Sequence, residues 1–362
     1  MPDRVNLLIV DDSRLFRSAL EEALRGQPGV SVVGSVFSGR KAIEFIRKTP
    51  PDLVTLDVEM PEMDGLETLA QIQALNESRP ASPPVGVIMV SAFTRRGEQV
   101  TINALQAGAF DFVAKPSGES SQASLSALRD ELMLKIRAWI ISRRGRGIVP
   151  TAAAPVAPVR APAIARVRVR AVTIGASTGG PRALSDLLPA LCNAVGELPI
   201  LIVQHMPAGF TRTLAESLAR QTGRKVVEAT DGMPLKPSTV YVAPGGKHMV
   251  LRGPGASPVV ALNEQPPENG CRPSADVLFR SAAAVLGSEV IALILTGMGR
   301  DGTAGLGAIR RAGGHVIAQD EATSVVWGMP GSAVEAGAVD DVRPLDQIAS
   351  TTAAVMSRGH AA

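Results

Sequence analysis

The sequence predicts an α/β protein with two domains, each built on a mainly parallel sheet. Before residue 143, short apolar runs alternate with segments of helical periodicity, an order typical of parallel strands covered by helices on both faces. Further apolar strands follow the stretch from Arg143 to Arg170, which is rich in Ala, Pro, Val and Arg. The 362 residues are enough to form two separate hydrophobic cores.

Five apolar runs and two helical stripes define the first domain. The predicted strands are VNLLIV, SVVGSV, LVTLDV, VGVIMVS and FDFVAK. One apolar helical stripe consists of Leu15, Phe16, Ala19, Leu20, Ala23 and Leu24. A second stripe consists of Leu125, Leu128, Leu132, Ile136 and Trp139. We therefore expect a helix after the first strand and a long last helix that leads into the stretch rich in Ala, Pro and Arg.

The stretch from Arg143 to Arg170 is predicted to be a linker, extended where its prolines cluster. Its arginines could contact nucleic acid or an acidic partner, but a solvated tether is the better interpretation. We therefore predict one domain over residues 1–124 and another over 170–362. Residues 125–169 between them would hold the helix end and the linker.

Charge and cysteine usage narrow the possible functions. The 37 Lys and Arg nearly balance the 34 Asp and Glu, so the composition does not indicate bulk binding of nucleic acid. Nor does a compact helix-turn-helix follow Arg170. Cys192 and Cys271 have no metal or redox spacing, which favours reduced thiols. Since no long apolar run is present, we expect a cytoplasmic protein that is not inserted in a membrane.

Polar residues lie at the carboxyl ends of the predicted strands in the first domain. They are Asp11, Asp12, Asp57, Ser91 and Lys115. Taken singly, Asp11 or Asp12 could cap a helix and Lys115 could be a surface cation. Together they converge on the edge of a parallel sheet where ligands bind. Three carboxylates need a hard cation to offset their repulsion, so we expect a Mg²⁺ site with Ser91 and Lys115 facing anionic oxygens.

These residues resemble the receiver domain of two-component response regulators over about the first 120 positions. The segment DVEMPEMDG, which begins at Asp57, fits the same pattern. The resemblance implies a flavodoxin-like, doubly wound sheet in which Asp57 accepts phosphate from a sensor histidine kinase. It further implies that Asp11 and Asp12 hold Mg²⁺ together with Asp57, and that Ser91 and Lys115 bind the phosphoryl oxygens.

The same resemblance assigns a switch position to Phe112. Members of the receiver family often carry a switching aromatic residue three positions before the lysine, which is Lys115 here. Phenylalanine has no hydroxyl group. A switch that depends on a hydroxyl hydrogen bond is therefore not expected from Phe112.

The second domain opens with an apolar strand that runs into Gly175-Ala176-Ser177-Thr178-Gly179. This G-x-S-x-G pattern between a strand and a helix is typical of a nucleophile elbow, although a serine there could also cap the helix beside a phosphate-binding turn. His205 and Asp301 each follow another predicted strand. If these strands are parallel neighbours, Ser177, His205 and Asp301 lie at one sheet edge, as acyl transfer requires.

Two alternative interpretations of the second domain are an α/β-hydrolase triad and a dinucleotide-binding site. The order Ser177, Asp301, His315 would match an α/β-hydrolase, but His315 begins an apolar strand and so lies away from the expected site. His248 also precedes an apolar run.

The segment from Gly297 to Gly302, with Asp320 further on, resembles a dinucleotide fingerprint. We disfavour it because Asp301 would lie beside a pyrophosphate.

The motifs GASTGGP, QHMPAGF and LTGMGRDG, following a receiver-like domain, are similar to those of the chemotaxis protein-glutamate methylesterase and glutamine deamidase family, CheB. The resemblance extends from about Arg170 to the end and implies an α/β domain with a mainly parallel, Rossmann-like sheet. It implies Ser177 as nucleophile, His205 as general base and Asp301 as the group that orients the histidine. Thr178 would adjoin the nucleophile.

In that family the backbone amide at the position of Met298 contributes to the oxyanion site. The resemblance implies a phosphorylation-regulated hydrolase that demethylates glutamate γ-methyl esters and deamidates glutamines. Methyl-accepting chemoreceptors would be its substrates and a chemotaxis histidine kinase its phosphodonor. No organic cofactor is expected. A scaffold protein without enzymatic activity would not need a serine, a histidine and an aspartate at strand ends.

Overall fold

The computed structural model describes residues 4–115, 122–145, 169–254 and 257–358. The chain divides into two compact units, Met1–Arg143 and Arg144–Ala362, and each is described by itself. The predicted linker lies largely outside the described residues. No helix in the described ranges has the length and apolar character needed to cross a membrane.

A five-stranded sheet forms the centre of the first unit. Its strand order is β2-β1-β3-β4-β5, and all neighbouring strands are parallel. The strands are β1 Val5–Val10, β2 Val30–Val36, β3 Leu53–Asp57, β4 Gly86–Ser91 and β5 Asp111–Ala114. The helices are α1 Arg14–Leu24, α2 Gly39–Lys48, α3 Gly65–Glu77, α4 Arg95–Gln106 and α5 Gln122–Gly145. The five predicted strands and both predicted helices are confirmed.

Packing in the first unit follows the apolar pattern in the central strands and less closely in α1. Every residue of β3 and β4 is buried, as expected for central strands covered on both faces. Trp139 of α5 packs edge-on against Phe110, with ring centroids 5.0 Å apart. Leu15, which the stripe of α1 predicted to be in the core, is 76 % exposed. It lies in the first turn of α1.

The second unit contains a seven-stranded parallel sheet and a three-stranded antiparallel sheet. The large sheet has the order β15-β14-β13-β6-β7-β10-β8, and the small one β11-β12-β9. The strands are β6 Ala171–Ala176, β7 Ile200–Gln204, β8 Lys225–Glu228, β9 Met233–Pro234, β10 Thr239–Val242, β11 His248–Arg252, β12 Val259–Asn263, β13 Val290–Ile294, β14 His315–Gln319 and β15 Asp341–Arg343. The helices are α6 Gly180–Val195, α7 Phe210–Thr222, α8 Ala275–Leu286, α9 Thr303–Arg311, α10 Met329–Glu335 and α11 Leu345–Arg358.

Strand β6 lies between β13 and β7, and this arrangement determines what can meet at the sheet edge. In the register, Gly175 pairs with Ile294 on one side and with Val203 on the other. The chain continues outward through β7 on one side and through β13, β14 and β15 on the other. The gap between β6 and β13 is therefore a topological switch point, the usual position of a ligand site in an open α/β sheet.

Helix α9 contacts α8 through a glycine that leaves no space for a side chain. A Cβ atom added to Gly305 would lie 2.7 Å from Cβ of Phe279 and 2.8 Å from the carbonyl oxygen of Asp276. A Cβ at Gly307, on the same helix, would have only the guanidinium end of Arg311 near it, at 3.2 Å. The two glycines can therefore be compared directly, because Gly305 is tightly packed and Gly307 has space for a methyl group.

We predict that Gly305→Ala lowers the free energy of unfolding of the second unit by about 1–3 kcal/mol, because the helices must separate. Gly307→Ala should raise it by up to about 1 kcal/mol, because alanine favours the helix. Urea unfolding followed by circular dichroism measures both. Equal stabilisation by the two substitutions would contradict the close contact between α8 and α9.

Candidate functional site

Ser177 lies on a tight turn between β6 and α6. Its amide donates to the carbonyl of Thr296 over 3.0 Å, and its own carbonyl accepts from the amide of Gly180 at 2.8 Å. Gly179 has a φ of +77°, and a Cβ there would lie 2.6 Å from Cβ of Val325, so only glycine suits the turn. The serine is 8 % exposed. The predicted strand–turn–helix context of the G-x-S-x-G motif is confirmed.

Neighbouring strands brace the turn from both sides. The amide group of Gln204 donates to the Ser177 carbonyl at 2.9 Å, and the Thr296 hydroxyl donates to the carbonyl of buried Thr178 at 3.0 Å. A Cβ at Gly297 would lie 2.8 Å from that of Ser177, so this backbone lies directly against the serine. The next residue is Met298, whose amide donates no hydrogen bond within the described part of the chain. This amide is therefore available for an oxyanion beside Ser177.

His205 follows β7, and its backbone amide bonds to the carbonyl of Ala176 at 3.0 Å. Its Nε2 lies 2.7 Å from Oδ2 of Asp301, while Nδ1 lies 3.5 Å from Sγ of Cys271. Among the residues that the structure describes, no hydrogen bond joins the Ser177 hydroxyl to His205. The structure thus brings His205 and Asp301 into direct contact and positions Ser177 on the adjacent strand end.

Asp301 is a buried carboxylate with an extensive set of hydrogen-bond donors. Besides His205, its Oδ2 accepts from the amide of Ala275 at 2.6 Å. Its Oδ1 accepts from the Ser274 hydroxyl at 2.7 Å and, at 3.2 Å, from the amide of Asp276 and from Asn269. Two of these donors are the first amides of α8. The aspartate therefore caps that helix in place of Ser274, whose hydroxyl makes no cap of its own.

The contact between Asp301 and His205 changes the pKa of both groups. Burial opposes protonation of the His205 imidazole, but the hydrogen bonds to Asp301 and Cys271 outweigh it and raise its pKa to about 9. Burial likewise opposes the charge on Asp301, yet His205, Ser274 and the Ala275 amide lower its pKa to about 2. The pair therefore favours an ionised carboxylate beside an imidazolium near neutral pH.

Sequence reasoning missed the donors that surround Asp301. They lie in the segment ENGCRPSAD, before the amphipathic helix α8, and include Asn269 and Ser274, whereas Cys271 of the same segment contacts His205. A polar run that ends at a helix N-terminus was the available signal, because free helix amides bind anions. Which anion they bind could not be deduced from spacing alone, since Asp301 lies about 25 residues further along the chain.

The alternative histidines lie elsewhere. His315 begins β14, as predicted, and its Nε2 is 2.9 Å from Asp341. His248 is fully buried at the start of β11, where its Nδ1 accepts from the amide of Ser274 at 3.2 Å. Asp320 follows β14, and its Oδ1 accepts from the amide and hydroxyl of Thr323. None of these three groups contacts Ser177 or His205 in the described residues.

In the first unit, Asp11, Asp12 and Asp57 lie at the carboxyl ends of β1 and β3. Each offers a carboxylate oxygen, and the three oxygens lie within 4.8 Å of one another. Nζ of Lys115 is 2.7 Å from Oδ2 of both Asp11 and Asp57. Burial, partly offset by Lys115 and reinforced by Asp11, raises the pKa of Asp57 to about 7. The predicted cluster is therefore assembled at the switch point between β1 and β3.

The donor set of this cluster fits a hard cation. Oδ2 of Asp11 is buried, and the Lys115 ammonium lies 2.7 Å from it. Three carboxylates whose oxygens lie this close together are the hard oxygen ligands that Mg²⁺ prefers. Ser91 is fully buried at the end of β4, and Phe112 is buried in β5. Ser91 therefore lies on the strand next to β3, and Phe112 lies one strand further on.

Comparisons with known proteins agree with this architecture. Residues 172–352 match the family model described as CheB methylesterase, and residues 7–125 match that described as response regulator receiver domain. The crystal structure of the Thermotoga maritima CheB methylesterase catalytic domain is similar to this chain, with a TM-score of 0.50 and 42% sequence identity. The match covers 52% of this chain and 100% of the Thermotoga chain.

Full-length relatives carry one common name. A protein-glutamate methylesterase/protein-glutamine glutaminase of Nocardioides sp. is 44% identical, covering 94% of this chain and 92% of that protein. The protein of the same name from Symbiobacterium thermophilum is 42% identical, covering 99% and 100%. The chain therefore belongs to the CheB methylesterase family and joins a response regulator receiver domain to a methylesterase domain.

Proposed function

We propose that Ser177, His205 and Asp301 hydrolyse glutamate γ-methyl esters on methyl-accepting chemoreceptors, in the service of chemotactic adaptation. The names of the relatives indicate the reaction. The assignment of these three residues rests on the 2.7 Å contact between His205 and buried Asp301, beside the Ser177 turn. A histidine held by a carboxylate next to a serine on a glycine turn is the arrangement that acyl transfer uses.

The two ring nitrogens of His205 have different tasks in this proposal. Nε2 donates a hydrogen bond to Asp301, so Nδ1 is the nitrogen left to accept the proton of Ser177. The serine oxygen attacks the ester carbonyl, and the free amide of Met298 stabilises the resulting oxyanion. The proton on Nδ1 then passes to the methoxide, which leaves as methanol. Water, activated by the same nitrogen, releases the glutamate carboxylate and restores Ser177.

Deamidation of glutamine follows the same course. A glutamine side chain offers the same carbonyl to Ser177, and ammonia leaves in place of methanol. An amide is the poorer leaving group, so protonation by the imidazolium of His205 matters more there. The raised pKa of His205 favours that donor role.

Cys271 provides a second candidate nucleophile. Its Sγ lies 3.5 Å from Nδ1 of His205. The serine is favoured because it adjoins the free Met298 amide and the glycine turn, which the cysteine does not. Substitution of each residue separates the two possibilities.

The receiver domain is proposed to regulate this hydrolase. Asp57 would accept a phosphoryl group from a chemotaxis histidine kinase, with Asp11, Asp12 and Asp57 holding Mg²⁺ and Ser91 and Lys115 binding phosphoryl oxygens. Bound Mg²⁺ supplies positive charge against the transferring phosphoryl group. Phosphorylation would shift the chain toward a more active population, with Phe112 as the switch position. Two free cysteines fit the cytoplasm, where we propose that the protein acts.

We predict that Ser177→Ala lowers kcat for methanol release from methylated receptor membranes at least about a thousandfold, with little change in KM. His205→Ala and Asp301→Ala should lose most activity too, and a double variant should lose little more than Ser177→Ala alone. His315→Ala is the matched control and should keep its rate. A Ser177→Ala protein with substantial activity that Cys271→Ala abolishes would assign the nucleophile to the cysteine.

The raised pKa of His205 predicts an unusual pH profile. The base works only when neutral, so kcat/KM should rise about tenfold per pH unit up to a pKa of about 9, well above the ordinary histidine range. Asp301→Asn removes the charge that favours the imidazolium, so the rising limb should move to lower pH as the maximum rate falls. Ser177→Ala gives the uncatalysed blank. A limb that stays in place in Asp301→Asn would contradict the proposed coupling.

Phosphorylation should raise methyl ester hydrolysis by the full-length chain, provided that Mg²⁺ is present. We expect labelling and activation with a small-molecule phosphodonor, and neither in Asp57→Asn or after chelation of Mg²⁺. A fragment of residues 166–362 lacks the receiver and should not respond to the donor. Labelling that persists in Asp57→Asn would overturn the assignment of the phosphorylation site.

A further inference from the structure

We propose that His205 Nδ1 and Cys271 Sγ form a binding site for Zn²⁺, and that the bound ion inhibits the hydrolase. In the described residues two groups of potential metal ligands occur: the three receiver carboxylates and the group His205, Cys271 and Asp301. The first offers only hard oxygen atoms. The second combines an imidazole with a thiol, which are ligands that zinc prefers.

The distance between the two ligand atoms fits one tetrahedral ion. Nδ1 of His205 and Sγ of Cys271 are 3.5 Å apart. Zinc binds nitrogen at about 2.0–2.1 Å and sulfur at about 2.3 Å, and at a tetrahedral angle these bonds separate the two ligands by roughly 3.5 Å. The ion can therefore bridge the two side chains with no rearrangement of the backbone.

Asp301 completes the arrangement from the other side of the imidazole. A zinc-bound histidine typically donates its second N–H to a carboxylate, which fixes the ring and strengthens the ligand. Here Nε2 of His205 lies 2.7 Å from Asp301, and that carboxylate is itself held by the N-terminal amides of α8 and by the Ser274 hydroxyl. The ring is thus already oriented with Nδ1 toward the sulfur.

Both proposed ligands are partly exposed. The His205 side chain is 12 % exposed and Cys271 is half-buried, whereas the other cysteine, Cys192, is buried in α6. On binding, the Cys271 thiol loses its proton to solvent and the Nδ1 lone pair becomes a metal ligand. With two protein ligands, water occupies the remaining coordination positions.

The inhibitory effect rests on the proposed function, because there Nδ1 accepts the Ser177 proton and a metal-bound nitrogen cannot. The binding itself does not rest on it. Zinc should therefore inhibit reversibly, in competition with protons on His205 and Cys271, and chelation should restore the rate.

The test uses the full chain in a non-thiol reductant, with Mg²⁺ in excess to occupy the receiver carboxylates. Co²⁺, a coloured substitute for zinc, is titrated first without substrate. The wild-type protein and Cys192→Ser should show a thiolate-to-cobalt charge-transfer band that zinc displaces. Cys271→Ser and His205→Ala should lack it, and Asp301→Asn should weaken zinc binding by about 10–100-fold.

Methanol release is then measured against zinc concentration, each variant relative to its own metal-free rate. The half-inhibitory concentration should rise at least about tenfold in Cys271→Ser and not in Cys192→Ser. Equal inhibition of wild type and Cys271→Ser, a cobalt spectrum without the charge-transfer band, or activation by zinc would overturn the proposal. A wild-type protein with the band but without hydrolase activity would instead contradict the proposed function and leave the metal site standing.

Discussion

The arrangement of the catalytic domain around its site depends on one constraint, the burial of the Asp301 carboxylate. A buried charge is tolerated only when its oxygens are fully hydrogen-bonded. The domain meets this requirement by directing the first turn of α8, the Ser274 hydroxyl and His205 at the same group. The cap of α8 and the orientation of His205 therefore depend on the same carboxylate.

Both domains have their polar site at a topological switch point of a parallel sheet, but the two sites differ in chemistry. Each parallel sheet has a topological switch point beside its first strand, between β1 and β3 in the receiver and between β6 and β13 in the hydrolase. Loops diverge at such a point and leave a crevice at the carboxyl ends of the strands. The receiver fills its crevice with carboxylates and Lys115. The hydrolase fills its crevice with the Ser177 turn and the backbone from Thr296 to Met298.

Much of this architecture could be predicted from the sequence, because parallel strands are short apolar runs and their polar ends are recognisable. Asp57, Ser91, Ser177 and His205 directly end or follow strands, so local pattern was enough to position them. The contacts of Asn269, Cys271 and Ser274 could not be predicted. They depend on where α8 packs, and packing between distant segments leaves no periodic signal. The exposure of Leu15 shows the same limit, since an apolar stripe does not reveal which of its residues another element covers.

The tautomer of His205 tests the central account most directly. Nitrogen-15 NMR of the full chain reports each ring nitrogen, and a His205→Ala spectrum identifies its signals among those of the 4 histidines. Above its pKa of about 9, His205 should carry its proton on Nε2, bonded to Asp301, with Nδ1 unprotonated. A neutral ring protonated on Nδ1 would contradict the account, because the nitrogen assigned to accept the Ser177 proton would have no free lone pair.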